Sequence, residues 1–224
     1  MKTAIPSQVQ DALIKTLSDD RTAYWKRLAN NDLERGLLLH QRNALIGSLL
    51  LIDIQLFEVS LRNTFDKNLR KYYRKDWFDS ANLTKEQQKK IVTAKRNAAN
   101  QWRKEGLSGK PDRGKIIVNL SLGFWVSLFV TRYTRSYLDK VFEGMPTNEA
   151  LRILNLILDA RNKLALHEPV ITWDGTKDRK DLASIMNDLD KIFQEICPLT
   201  AEWALRHSVV RQLISAKLYS CDQP

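Results

Sequence analysis

Apolar residues recur every three or four positions along most of the chain, the period of a helix that buries one face. Val9, Leu13 and Leu17 open a short amphipathic helix, and Tyr24, Trp25 and Leu28 suggest a second. From about Leu37 to Leu69 the pattern predicts one long helix, with no Pro and no Gly except Gly47. Two apolar stripes run along it. One is Leu45, Leu49, Ile52, Leu56 and Val59; the other is Leu50, Ile54, Phe57, Leu61 and Phe65. A helix apolar on two sides is expected at the centre of a bundle, packed left and right. Gln55, Glu58, Arg62 and Asp66 form a narrow polar row between the stripes.

The segment Tyr72–Leu83 reads as an aromatic connection, and Thr84 followed by Gln87 is a capping-box pattern opening a polar helix to about Arg103. The stretch GLSGKPDRGK (106–115) is the clearest loop. A strongly apolar helix is expected from Ile116 to about Phe142, ended by Gly144, Met145 and Pro146. Thr147 can cap the next helix, from about Asn148 to Leu166, because the residue before Pro169 is biased away from the helical region. ITWDGTKDRK (171–180) reads as a turn. Helices over about Asp178–Ile196 and Thr200–Leu218 follow, with Pro198 between them. No repeat, low-complexity tract or linker interrupts the chain, so one all-α helical bundle over 1–224 is expected.

Only 8 Gly and 6 Pro among 224 residues are too few for the turns of a β-sandwich or barrel. The longest uncharged apolar runs, Ala44–Ile52 and Leu120–Val130, fall short of the roughly 20 residues of a membrane helix. The N-terminus lacks an apolar signal core, and two cysteines (Cys197, Cys221) make no disulfide framework. A cytoplasmic setting without membrane contact is expected.

The net charge of +10 is concentrated. Residues 67–115 hold 15 Lys and Arg against 5 Asp and Glu, leaving 21 of each sign elsewhere. Such a block attracts polyanions whatever their sequence, and RNA contacts are expected at Lys89, Lys90, Lys95 and Arg96. The competing reading is a solvated helix carrying its own ion pairs. Tyr72, Tyr73, Trp77 and Phe78 adjoin the block and either stack on bases or plug the core.

Three histidines are present. His40 reads as solvent-facing, and His207 lies on an amphipathic helix. His167 alone has suggestive company, in Arg161-Asn162-Lys163-Leu164-Ala165-Leu166-His167-Glu168-Pro169, where a guanidinium and an amide follow the apolar run LRILNLILDA. Either Arg161 pairs with Asp159, Glu58 or Glu168, or it opens onto a cleft that takes an anion. On one straight helix Arg161 and His167 point about 120° apart. Two copies meeting at a two-fold axis, or unwinding of the last turn before Pro169, would bring such groups to one phosphate. Glu58 and Arg62 read as an ordinary i,i+4 ion pair. No acidic cluster has metal-ligand spacing, and no cofactor is expected.

RNKLALHEPV resembles the Arg-Asn-x4-His signature of the HEPN superfamily, and its Glu-Pro is similar to the abortive-infection (Abi-like) branch. Leu56-Phe57-Glu58-Val59-Ser60-Leu61-Arg62-Asn63 resembles that branch's Glu-x-x-Leu-Arg-Asn helix, and Leu120–Trp125 resembles its Leu-Ser-Phe-Gly-Phe-Trp segment. The resemblance covers roughly residues 40–205. It implies an all-helical HEPN-type fold carrying extra N-terminal and basic helices. It also implies a homodimer and metal-independent RNA cleavage, as a toxin in defence against phage. Arg161, Asn162 and His167 would be catalytic and Lys163 would contact phosphate. Glu58, Arg62, Asn63 and Glu168 would brace them. Many relatives carry two histidines before Glu-Pro, whereas Leu166 holds the first position here. An antitoxin protein or a structured regulatory RNA would restrain the activity. The alternative is a HEPN module that binds RNA or a partner without cutting.

Overall fold

The structure, a computed structural model, describes residues 5–73, 77–80, 82–170 and 181–215. Most of these are helical, with no strand among them. In chain order the helices are α1 (Ser7–Leu17), α2 (Asp19–Leu28), α3 (Leu33–Tyr73), α4 (Trp77–Ser80), α5 (Lys85–Lys104) and α6 (Arg113–Ile117). Then follow α7 (Leu122–Val130), α8 (Arg132–Leu138), α9 (Thr147–Ala165), α10 (Leu182–Ile196), α11 (Pro198–His207) and α12 (Val209–Ser215). The chain forms two compact units. The first holds residues 1–53, 162–186 and 207–224; the second holds 54–161 and 187–206. The 171–180 turn, the start of the helix expected at Asp178 and the last turn to Leu218 lie outside the described residues.

In the first unit, two glycines let helices approach closely. A Cβ on Gly36 would lie 2.9 Å from the backbone of Trp25 and Lys26, so α2 and α3 meet nearly backbone to backbone. A Cβ on Gly47 would lie 3.2 Å from Leu164, the residue of α9 packed there. The core side of this part of α3 is Leu39, Ile46 and Leu50. The opposite stripe departs from expectation. Leu45 is 57% and Ile52 60% exposed, and Leu49 is half-buried. The long helix is therefore covered on one side here, and a row of leucines is left in solvent. α3 also contains an 18-residue window of mean hydropathy 1.8, long and apolar enough to cross a bilayer, of which 39% is buried inside the protein. A count of uninterrupted apolar runs misses this window, because the window tolerates one or two charges.

In the second unit, Phe57, Leu61, Phe65 and Leu69 are fully buried. Phe65 and Phe57 meet Phe129, Phe142 and Phe193 at ring distances of 5.8–6.2 Å. Trp77 and Phe78 are buried, so they plug the core instead of offering a stacking surface. The Thr84–Gln87 capping box forms as expected. The single apolar helix expected from Ile116 to Phe142 does not form: α6, α7, α8 and a 3₁₀ turn (Asp139–Val141) share that stretch. The cause lies partly on α5. Buried Gln87 donates to the Ser127 carbonyl and to Thr131 Oγ1 at 3.0 and 2.9 Å. Thr131 is extended there and begins α8. The loop at 106–115 is shorter than expected because Asp112 caps α6 at Lys115 N–H (2.8 Å). Thr147 does not cap α9. It is that helix's first residue, and its hydroxyl bonds Asp139.

Candidate functional site

α9 ends at Ala165 through the chemistry of its own last turn. The Glu168 N–H donates to the Lys163 carbonyl and the His167 N–H to the Leu164 carbonyl, each at 3.0 Å. This double bond pattern closes a helix when the intervening residue takes the left-handed conformation, a place usually held by glycine. Here His167 holds it, at φ +58°. Residues 166 and 167 thus leave the helix, and the 120° separation computed for a straight helix does not apply. The imidazole is exposed.

Asn43 of α3 fixes the chain just beyond. Its Oδ1 accepts from the Val170 N–H at 2.6 Å, and its amide donates to the Glu168 carbonyl at 3.4 Å. Asn43 is only 5% exposed, so a single buried amide holds both sides of Pro169. His40, one turn earlier on α3, is half-buried, not solvent-facing as expected. Trp25 of α2 meets its ring edge to face at 5.6 Å. Burial first, then the charges of Arg21 and His167, hold the His40 imidazole below its ordinary pKa. Asn162 is exposed and Lys163 half-buried.

In the second unit, Arg161 is 38% exposed at its side chain, and its Nε lies 3.9 Å from Glu58 Oε2. Glu58 faces Arg161 and makes no ion pair with Arg62 among the described residues, contrary to the expected i,i+4 pair. The Arg62 Nε is buried without a hydrogen-bond partner. Asn63 is exposed.

The basic residues divide. Lys95 pairs with Asp79 at 3.1 Å and lies over the Phe78 ring, and Lys90 pairs with Glu86 at 2.8 Å. Lys89 and Arg96 are exposed. Lys89 and Lys90 line a cleft of about 280 Å³ with Glu86, Thr93, Asn119, Leu120, Ser121 and Phe124. Two ammonium groups, two hydroxyls and an amide surround an apolar floor, and the Glu86 carboxylate paired with Lys90 lines the same cleft and offsets one of the two positive charges. The described residues bring together no group of three or more His, Cys, Asp or Glu.

The sequence reading missed Asn43 and dismissed His40. A signal for the first was present: an amide occupies the buried row Leu39, Asn43, Ile46 and Leu50, where it needs polar partners. No protein-family model, curated protein or solved structure matches the chain.

Proposed function

We propose that the chain is a metal-independent endoribonuclease of the HEPN type, from the abortive-infection branch, working as a cytoplasmic homodimer. His167 moves a proton during attack of a ribose 2′-OH on the adjacent phosphorus. Arg161 neutralises the charge that gathers on the phosphorane oxygens, and Asn162 supports the pair. The 2′-OH nucleophile would restrict the reaction to RNA. Glu58, Arg62, Asn63 and Glu168 brace the catalytic groups, while Lys163 and the basic stretch hold phosphates. An antitoxin protein or a structured RNA keeps the activity in check.

The observation that carries this reading is the backbone at His167. A left-handed non-glycine residue costs on the order of 1–2 kcal/mol, and strain of this kind persists where a side chain is needed. Glycine would close α9 without that cost; of the four described non-glycine residues with positive φ (Ser18, Asn30, Asn31 and His167), only His167 carries a group that titrates near neutral pH. The loose 3.9 Å contact of Arg161 with Glu58 is consistent with a guanidinium that can still take up a phosphate.

The test is cleavage of a labelled single-stranded RNA in EDTA by wild type, Arg161→Ala and His167→Ala. Wild type should cleave, and each variant should lose at least about 10²-fold in rate. RNA binding that is undiminished by His167→Ala, with no cleavage by wild type, would instead establish the non-catalytic module. Cleavage abolished by the chelator would overturn the metal-independent mechanism.

A further inference from the structure

Arg62 stands between two carboxylates on α3 and pairs with neither. Glu58 lies four residues before it and Asp66 four after, and on an isolated helix either would be its partner. Asp66 is instead taken by Trp77 Nε1 and Arg113. Glu58 turns its carboxylate toward Arg161. The Arg62 Nε is enclosed without an acceptor, and this guanidinium makes no hydrogen bond, ion pair or ring contact among the described residues. The residue as a whole is half-buried, so its outer Nη end reaches solvent. Enclosing a donor without an acceptor costs free energy, and a group kept in that state calls for a partner that arrives from outside.

We propose that Arg62 and Arg161 form one oxyanion site in the second unit, and that it takes a single backbone phosphate of the RNA. This inference rests on the RNA-directed reading above, and it moves Arg62 from bracing the site to touching the substrate.

Glu58 and Arg62 are about 6 Å apart along the α3 axis and about 40° apart around it, so they share a face of that helix. At Glu58 the face meets α9, where Arg161 Nε stands 3.9 Å from Glu58 Oε2, beyond hydrogen-bond length. Glu58 is thus the common neighbour of the two guanidiniums, one turn from Arg62 and facing Arg161. Asp159, the acidic residue nearest Arg161 in the sequence, is exposed and points about 160° away from it on α9. Two guanidiniums against one carboxylate leave one positive charge, which a phosphodiester monoanion balances. Each guanidinium offers a planar fork of N–H donors that matches two phosphate oxygens. The phosphorane adds a second negative charge, so the site acts on kcat as well as on binding.

The experiment measures binding of a labelled single-stranded RNA against salt concentration, with every 2′-OH methylated so that no cleavage occurs. The proteins are the full chain as wild type, Arg62→Gln, Arg62→Lys, Arg161→Gln and the double glutamine variant. Arg62→Gln should weaken binding at least about fivefold at low salt and flatten the slope of log K against log salt by about 0.7, the share of one phosphate on a single strand. Arg161→Gln should do likewise, and the double variant should lose less than the product of the two single losses, because both groups hold one phosphate. Arg62→Lys keeps the charge without the fork, so it should restore the slope but only part of the affinity. The urea midpoint of Arg62→Gln should not fall, since the guanidinium has no partner in the fold. Wild-type affinity and slope in Arg62→Gln, or losses that multiply in full, overturn the proposal. A lower urea midpoint with unchanged RNA binding overturns it too, by assigning Arg62 to the fold. On an unmodified RNA in EDTA, Arg62→Gln should lower kcat at least about tenfold. If wild type cuts nothing while the binding losses appear, the endoribonuclease reading fails and the phosphate site stands.

Discussion

The cluster around Asp66 in the second unit and the histidines of the first unit are built on opposite principles. In the second unit Asp66 is buried and saturated. It accepts from Trp77 Nε1 at 2.7 Å and from both Nε and an Nη of Arg113 at 3.1 and 2.5 Å. Arg113 in turn lies over the Phe78 and Trp77 rings, at 4.3 and 5.7 Å from their centroids. Every charge there is used by a neighbour, so the cluster clasps the basic loop to the core. In the first unit the imidazoles of His40 and His167 are packed or anchored through other groups, by Trp25, Asn43 and the helix end, while His167 stays exposed. Saturation ties the Asp66 group to the fold, whereas His167 is the exposed group that the proposed function uses.

The sharpest way to separate the two is to remove their central groups. Asp66→Ala leaves the Arg113 guanidinium without its carboxylate and the Trp77 N–H without an acceptor. Breaking a buried pair by deleting one partner costs about 3–5 kcal/mol, so urea denaturation should show a loss of that size. RNA cleavage measured well below the unfolding midpoint should be little changed. A variant with normal stability would mean that the clasp is ornamental and that the contrast is misdrawn. Asn43→Ala comes next. It strands the buried Val170 N–H, for about 1–3 kcal/mol, and frees the segment after His167. Here stability and kcat should fall together while RNA affinity holds, since Asn43 is not one of the residues of the basic stretch.

What was legible in the sequence follows the range of the interactions. α5 could be read because its capping box lies within four residues. The breaks between α6, α7 and α8 could not, because Gln87 acts on Ser127 and Thr131 from 40 and 44 residues away. Periodicity identified Leu45, Leu49 and Ile52 as one stripe, but spacing cannot say whether another element covers it, and here the stripe is largely bare. Likewise the Arg-Asn-x4-His spacing drew attention to Arg161 and His167. Nothing local to His40 revealed that Trp25 would pack against it. The amide that joins α3 to that segment spans 127 residues.

The smallest expected effect is the most discriminating, because its two readouts move in opposite directions. His167→Gly keeps the backbone hydrogen bonds that close α9 and removes only the side chain and the cost of a left-handed β-carbon. Stability should rise by about 1 kcal/mol, read as a higher urea midpoint, while cleavage disappears. A group kept for chemistry at the expense of the fold must behave this way. If the glycine variant were instead less stable, the imidazole would be holding the turn together through its own contacts. His167 would then belong with Asp66 among the saturated groups, and its strained backbone would no longer argue for a reaction.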